Sequence, residues 1–180
     1  MRIQFEHGVK YIIGLVIVVL IRLIPHPPNI EPIMATLMPL SKRWGWLSGM
    51  LFSLVAILGY DVLSGTLGSW SLVTSLTYAA LGIAAGIYLK NRTSSARHYV
   101  AFAIFGTLFY DAVTGVGMST LLWHTPFMVA LLGQIPFTVN HLLGNIVLAA
   151  VLSPALYRLV ITNPALETSA VLARFRFGTR

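Results

Sequence analysis

Tyr60-Asp61-Val62-Leu63-Ser64-Gly65 is matched fifty positions later by Tyr110-Asp111-Ala112-Val113-Thr114-Gly115. Each copy closes a long apolar run, and each leads into a glycine-bearing stretch without charge. Asp61 and Asp111 are two of only five acidic residues in the chain. An aspartate at a bilayer centre costs about 3 kcal/mol, whereas one at a helix end reaches water. The pattern therefore predicts that both copies end membrane helices, that they lie on one membrane face, and that function sits near that face.

Working outward, the composition sets the class. Of 180 residues, 57% are hydrophobic and 9% charged, against about 25% charged in soluble domains. Mean hydropathy is +0.81. Such a chain cannot cover a soluble surface with polar groups, so it reads as an all-α integral membrane protein forming one domain over residues 1–180. There are no cysteines, which removes disulfides, thiolate metal sites and a cysteine nucleophile. The net charge of +7 is scattered between apolar runs. That distribution suits membrane orientation and gives no reason to expect nucleic acid.

Six helices are expected, at about 11–24, 30–40, 44–60, 72–89, 98–113 and 136–161. Arg2 and Lys10 precede the first apolar run, but Arg22 and Pro25-His26-Pro27-Pro28 follow it with no small-x-small cleavage site, so a retained helix is expected rather than a signal peptide. The proline cluster ends it. Residues 115–134 read as a longer connection carrying Trp123, His124 and Pro126, with a short helix near 127–132. A polar tail follows from 162 to 180.

Six spans make the connections alternate in charge. Arg2, Lys10, Lys42, Arg43, Lys90, Arg92, Arg97, Arg158, Arg174, Arg176 and Arg180 fall on one side and only Arg22 on the other. The positive-inside rule then predicts both termini in the cytoplasm, the multi-pass chain in a prokaryotic cell membrane, and both aspartate copies on the outer face. The repeat also suggests two parallel halves, helices 2–3 and 4–5. Gly82 and Gly86, with Gly49 and Ser53, have the small-xxx-small spacing that lets helices approach closely; packing within the chain is the expected use.

No nucleophile elbow, HExxH motif, phosphate loop or tight metal-ligand cluster is present, so neither an enzyme nor a cofactor is predicted. Ionisable groups at helix ends also argue against an ion path, which needs them in mid-helix. What remains is a rim of polar and aromatic groups around the outer openings: Arg22, His26, Asn29, Glu31, Tyr60, Asp61, Trp70, Tyr110, Asp111, Trp123, His124, Asn140, His141 and Asn145. Aromatic walls with a few convergent polar groups suit a small-molecule pocket. Structural roles compete with this one. The aspartates can cap loops, the tryptophans can belong to the interfacial belt, His26 can be a plain loop residue, and Arg22 reads better as an ion-pair partner of Glu31 or an aspartate. His141 and Asn145, four apart, share a helix face and need partners there, whether ligand or neighbouring helix.

Arg22-Leu23-Ile24-Pro25-His26-Pro27-Pro28-Asn29-Ile30-Glu31-Pro32-Ile33 resembles the first-loop signature of a poorly characterised group related to the substrate-binding (S) components of energy-coupling factor (ECF) transporters. Gly133-Gln134-Ile135-Pro136-Phe137-Thr138-Val139-Asn140-His141-Leu142-Leu143-Gly144-Asn145 resembles the start of their last helix. The resemblance implies a six-helix bundle that captures a vitamin or other micronutrient in a pocket near the outer face. It implies partners too: a membrane scaffold subunit and two cytoplasmic ATPase subunits. The family often docks through an Ala-x-x-x-Ala pair on helix 1; the nearest match here is Gly14-x-x-x-Val18, which departs from it. A second resemblance covers less of the chain. Asp61-Val62-Leu63-Ser64-Gly65-Thr66-Leu67-Gly68 is similar to a segment of the multi-span rod-shape protein of the cell-wall elongation machinery, a structural partner with no small ligand.

Overall fold

The structure, a computed structural model, describes residues 6–24 and 30–177, and no strand occurs among them. Helix α1 spans Gly8–Leu23, α2 Ile33–Trp44, α3 Trp46–Ser64, α4 Ser69–Leu89 and α5 Ala96–Asp111. A π-helical turn, Ala112–Gly117, joins α5 to the short α6, Met118–Leu121. Helix α7 spans Phe127–Leu156 and runs on through a second π-helical turn, Tyr157–Ile161; α8 is Thr168–Phe177. Four helical stretches are long and apolar enough to cross a membrane: Trp46–Ser64, Ser69–Leu89, Ala96–Leu121 and Phe127–Ile161.

Helix α2 organises the packing. Every residue from Ile33 to Ser41 is buried, and α3, α4, α5 and α7 all pack against it. A helix covered on all sides belongs inside a bundle. At twelve residues it is about 18 Å long, shorter than the hydrocarbon layer. Pro39 lies within it and lacks the N–H that would bond the carbonyl of Ala35. Ser153 of α7 donates its hydroxyl to that carbonyl at 2.8 Å, with both groups buried. The acceptor freed by the proline is thus met from another helix, as a buried carbonyl requires.

Glycines bring α3 and α4 into backbone contact. A Cβ on Gly82 would sit 2.4 Å from the carbonyl carbon of Gly49, and one on Gly86 would sit 2.5 Å from Cα of Trp46. The small-residue spacing is therefore used within the chain. Gly45, at φ 88°, turns α2 into α3, and Gly65, at φ 70°, ends α3 in the left-handed region that glycine enters without strain.

Lys10 and Lys42 are anchored at one end of the bundle, where the start of α1 and the ends of α2, α4 and α7 meet. There Lys10, 1% exposed, donates to Ile161 O at 3.0 Å and to Glu167 Oε1 at 2.6 Å. His7 bonds Glu167 Oε2 at 2.7 Å and stacks on Trp44 at 4.6 Å. Lys42 donates to the carbonyls of Leu89 and Arg92. The segment after 161, expected as a polar tail, is thus clasped to the start of α1 and then forms α8. Burial pushes the Glu167 carboxyl up, but the hydrogen bonds from Lys10 and His7, and their charges, more than offset this and hold it below its ordinary value.

Three expectations are corrected. The chain does not leave the helix at 113: Ala96–Leu121 is helical throughout, so Asp111 sits ten residues before the end, about 15 Å along the axis. The last long helix begins at Phe127, not 136, and carries Pro136 inside it; the stretch read as its start is interior. The two aspartate repeats also do not mark similar halves, since α2 is a short buried rod and α4 a 21-residue span.

Candidate functional site

The lengthening of α5 and α7 places ionisable groups in mid-helix. Asp111 and His141 are 5% and 4% exposed, and Nδ1 of His141 meets Oδ1 of Asp111 at 2.8 Å. One turn along, Asn145 Nδ2 donates to Thr107 Oγ1 at 2.8 Å, also buried. Residues four apart on each helix share a face, so positions 107 and 111 of α5 meet 145 and 141 of the antiparallel α7 as two rungs. Oδ2 of Asp111 and Oδ1 of Asn145 are buried without a hydrogen-bond partner. The premise of the argument against an ion path, that ionisable groups sit only at helix ends, therefore does not hold for Asp111 and His141.

An aromatic relay extends from the upper rung. The Tyr110 ring lies edge-on to His141 at 5.4 Å and against Tyr78 at 4.6 Å. Tyr78 is fully buried, its hydroxyl unpartnered. Behind it, Arg22 pairs with Glu31 at 3.4 Å and stacks on the Tyr60 ring at 3.9 Å. The phenols of Tyr78 and Tyr110 lie within electrostatic reach of Arg22, Glu31 and Asp111.

A cavity of about 330 Å³ opens where α4 and α7 begin and α6 ends. Trp70, Trp123, Tyr110 and Phe137 form its aromatic wall. Thr74, Thr114, Ser119 and Gln134 supply neutral polar groups, Gly115 and Met118 complete the lining, and Asp111 lies at its base. The π-helical turn after Asp111 contributes Thr114 and Gly115; such turns are frequent at functional sites. Gly115 has no room for a side chain, because Gln134 Oε1 lies 2.2 Å from where its Cβ would be. A second, more apolar hollow of about 270 Å³ between α5 and α7 shares Asp111 and Gln134 as its wall.

Of the residues singled out from sequence, the cavity gathers Trp70, Tyr110, Asp111 and Trp123, with His141 hydrogen-bonded to Asp111 and Asn145 one turn further along α7. Arg22 lies in the adjoining ion pair. Asp61 is buried one turn before the end of α3; its main-chain oxygen accepts from Thr66 N at 2.9 Å, and its side chain is not part of the cavity wall. His124 is exposed in the turn before α7, at a left-handed φ of 54°. Asn140 is exposed because one residue rotates the helix about 100° away from His141. His26 and Asn29 lie outside the described residues. Gly14 and Val18 face inward: a Cβ on Gly14 would touch Phe52 and Thr36, and Val18 is fully buried. That pair presents no docking surface; the outward stripe of α1 is Ile12, Val16 and Leu20.

Thr107, Thr114 and Gln134 were not anticipated. Thr107 carries a signal in retrospect: it precedes Asp111 by four, the same spacing that separates His141 from Asn145. Among the described residues, no three histidines or carboxylates converge to hold a metal.

Fold and site together define a helical membrane protein with an aromatic-walled cavity over a buried Asp-His pair. No family model, curated protein or solved structure matches the chain.

Proposed function

We propose that this chain is the membrane-embedded capture component of an importer. It takes a vitamin or other micronutrient into the cavity beneath Trp70 and Trp123 and delivers it inward with a membrane scaffold subunit driven by two cytoplasmic ATPase subunits, as an ECF S component does. The observation that carries this reading is the 330 Å³ cavity whose aromatic walls are interleaved with convergent polar groups, within the size range of small-molecule sites. In this reading α1 and the short, buried α2 count as the remaining two of six passes, and the positive-inside rule, applied to the end away from the cavity where Lys10 and Lys42 lie, supports cytoplasmic termini. Scaffold contact then uses a face other than Gly14 and Val18.

The test is native mass spectrometry of the protein purified in mild detergent, followed by a thermal-shift screen of vitamins and nucleobases. A stoichiometric copurified small molecule, or a specific stabilisation in the screen, is the expected result. A clean apo mass together with no stabilisation, and copurification with cell-wall elongation proteins, would move the assignment to the structural partner that the segment Asp61–Gly68 resembles.

A further inference from the structure

Among the described residues that line the cavity, Asp111 is the one carboxyl group and there is no lysine, arginine or histidine. The cavity's polar groups other than Asp111 are hydroxyls, the indole N–H groups of Trp70 and Trp123, and the Gln134 amide. Arg22 is not in this lining: its Nη2 pairs with Glu31 at 3.4 Å and its plane stacks on the Tyr60 ring at 3.9 Å, while its Nη1 is buried without a partner. Lys10 is tied to Ile161 and Glu167 at the opposite end. A carboxylate or phosphate ligand would be desolvated beside the Asp111 carboxyl with no cation in the cavity wall to meet it. Asp111 itself is 5% exposed, with Oδ1 engaged by His141 and Oδ2 unpartnered. Trp70, Tyr110, Trp123 and Phe137 stand around the same space, and aromatic faces attract cations.

From this we propose that the cavity selects an organic cation, a ligand whose positive nitrogen is alkylated or part of a heteroaromatic ring. His141, hydrogen-bonded through Nδ1 to Oδ1, orients the carboxyl group, and Oδ2 is left without a protein partner. The aromatic side chains enclose the cationic head, and Gln134, held over Gly115, offers its amide to the remainder. The inference rests on the capture reading and specifies what is captured.

The test compares three probes of similar size on the detergent-purified full chain: benzyltrimethylammonium, its uncharged carbon isostere neopentylbenzene, and phenylacetate. Binding is read by tryptophan fluorescence and thermal shift. The cation is expected to bind at least tenfold more tightly than either other probe. Asp111→Asn, which keeps a hydrogen-bonding partner for His141 and the shape, is expected to erase that preference. Gln134→Lys, which places a fixed cation in the cavity without touching the Asp-His pair, is expected to weaken the cation by a similar factor and serves if the Asn variant does not fold. Equal binding of cation and neutral isostere, or a preference that survives both substitutions, overturns the cation assignment while leaving the cavity as a binding site. Failure of all three probes, with no copurified mass, overturns the capture reading with it.

Discussion

Asp111 and His141, thirty residues apart in the chain, meet at 2.8 Å with both side chains buried, and Thr107 and Asn145 repeat the contact one turn away. The two rungs join α5 to α7 beneath the cavity, yet they are not equivalent energetically. Hydrogen bonds between membrane helices average about 0.6 kcal/mol and reach about 1.7. Hydrogen bonds that involve a charged group are worth about 1.5–3 kcal/mol.

Asp111→Ala is therefore expected to lower stability by about 1.5–3 kcal/mol, and Thr107→Val by about 0.6 to 1.7 kcal/mol. Asp111→Ala combined with His141→Leu should cost less than the sum of the two single changes. Reversible unfolding in mixed micelles measures all four; strict additivity would mean that the pair is not coupled.

Ser153→Ala should cost about 1–2 kcal/mol by leaving the Ala35 carbonyl unmet. In a Pro39→Ala background the backbone N–H at position 39 can bond that carbonyl, and the cost of losing Ser153 should shrink. A Ser153 effect of the same size in both backgrounds would refute the account of why this serine sits in the core.

Gly82→Val and Gly86→Val should prevent α3 and α4 from closing, since the new Cβ meets backbone at 2.4 and 2.5 Å, which cannot move aside. Gly59→Ala and Gly133→Ala meet nothing within 4 Å and should leave a monodisperse protein. Size-exclusion chromatography in detergent distinguishes the two classes.

The Glu167 clasp predicts a pH effect. Its carboxyl is held below its ordinary value by Lys10 and His7. A depressed folded-state value contributes stability above the unfolded carboxylate value, and that contribution is lost as pH falls through the folded one. Acidification should therefore release α8 and increase protease cleavage between 162 and 168, while Glu167→Gln should show that cleavage already at neutral pH. Cleavage that is independent of pH in the unaltered chain would contradict the clasp.

Several features could be read from residues alone because they depend on local chemistry. Low charge and high hydropathy define a membrane protein, since too few polar groups exist to face water. The Gly82–Gly86 spacing announced close packing, and the i, i+4 spacing of His141 and Asn145 placed them on one buried face, although Asn140 turned out to face away. Gly65 does end α3 beside Asp61, as the first repeat suggested.

The second repeat shows where local chemistry stops deciding. Asp61 and Asp111 have nearly the same neighbours, yet one helix ends within a turn and the other continues through a π-helical turn to Leu121. The difference lies outside the motif: α7 brings His141 to Asp111 and Gln134 over Gly115, so the uncapped polar groups of the second copy find partners that the first copy does not use. By itself the sequence determined the class, most helices and which polar groups need partners, because propensity and desolvation act on each residue where it stands. Tertiary structure alone decided that α2 is the core, that Gly14 and Val18 face inward, and that an aspartate expected at a helix end lies deep under a cavity. Those outcomes depend on contacts between residues far apart in the chain, and no local pattern encodes which distant group will meet them.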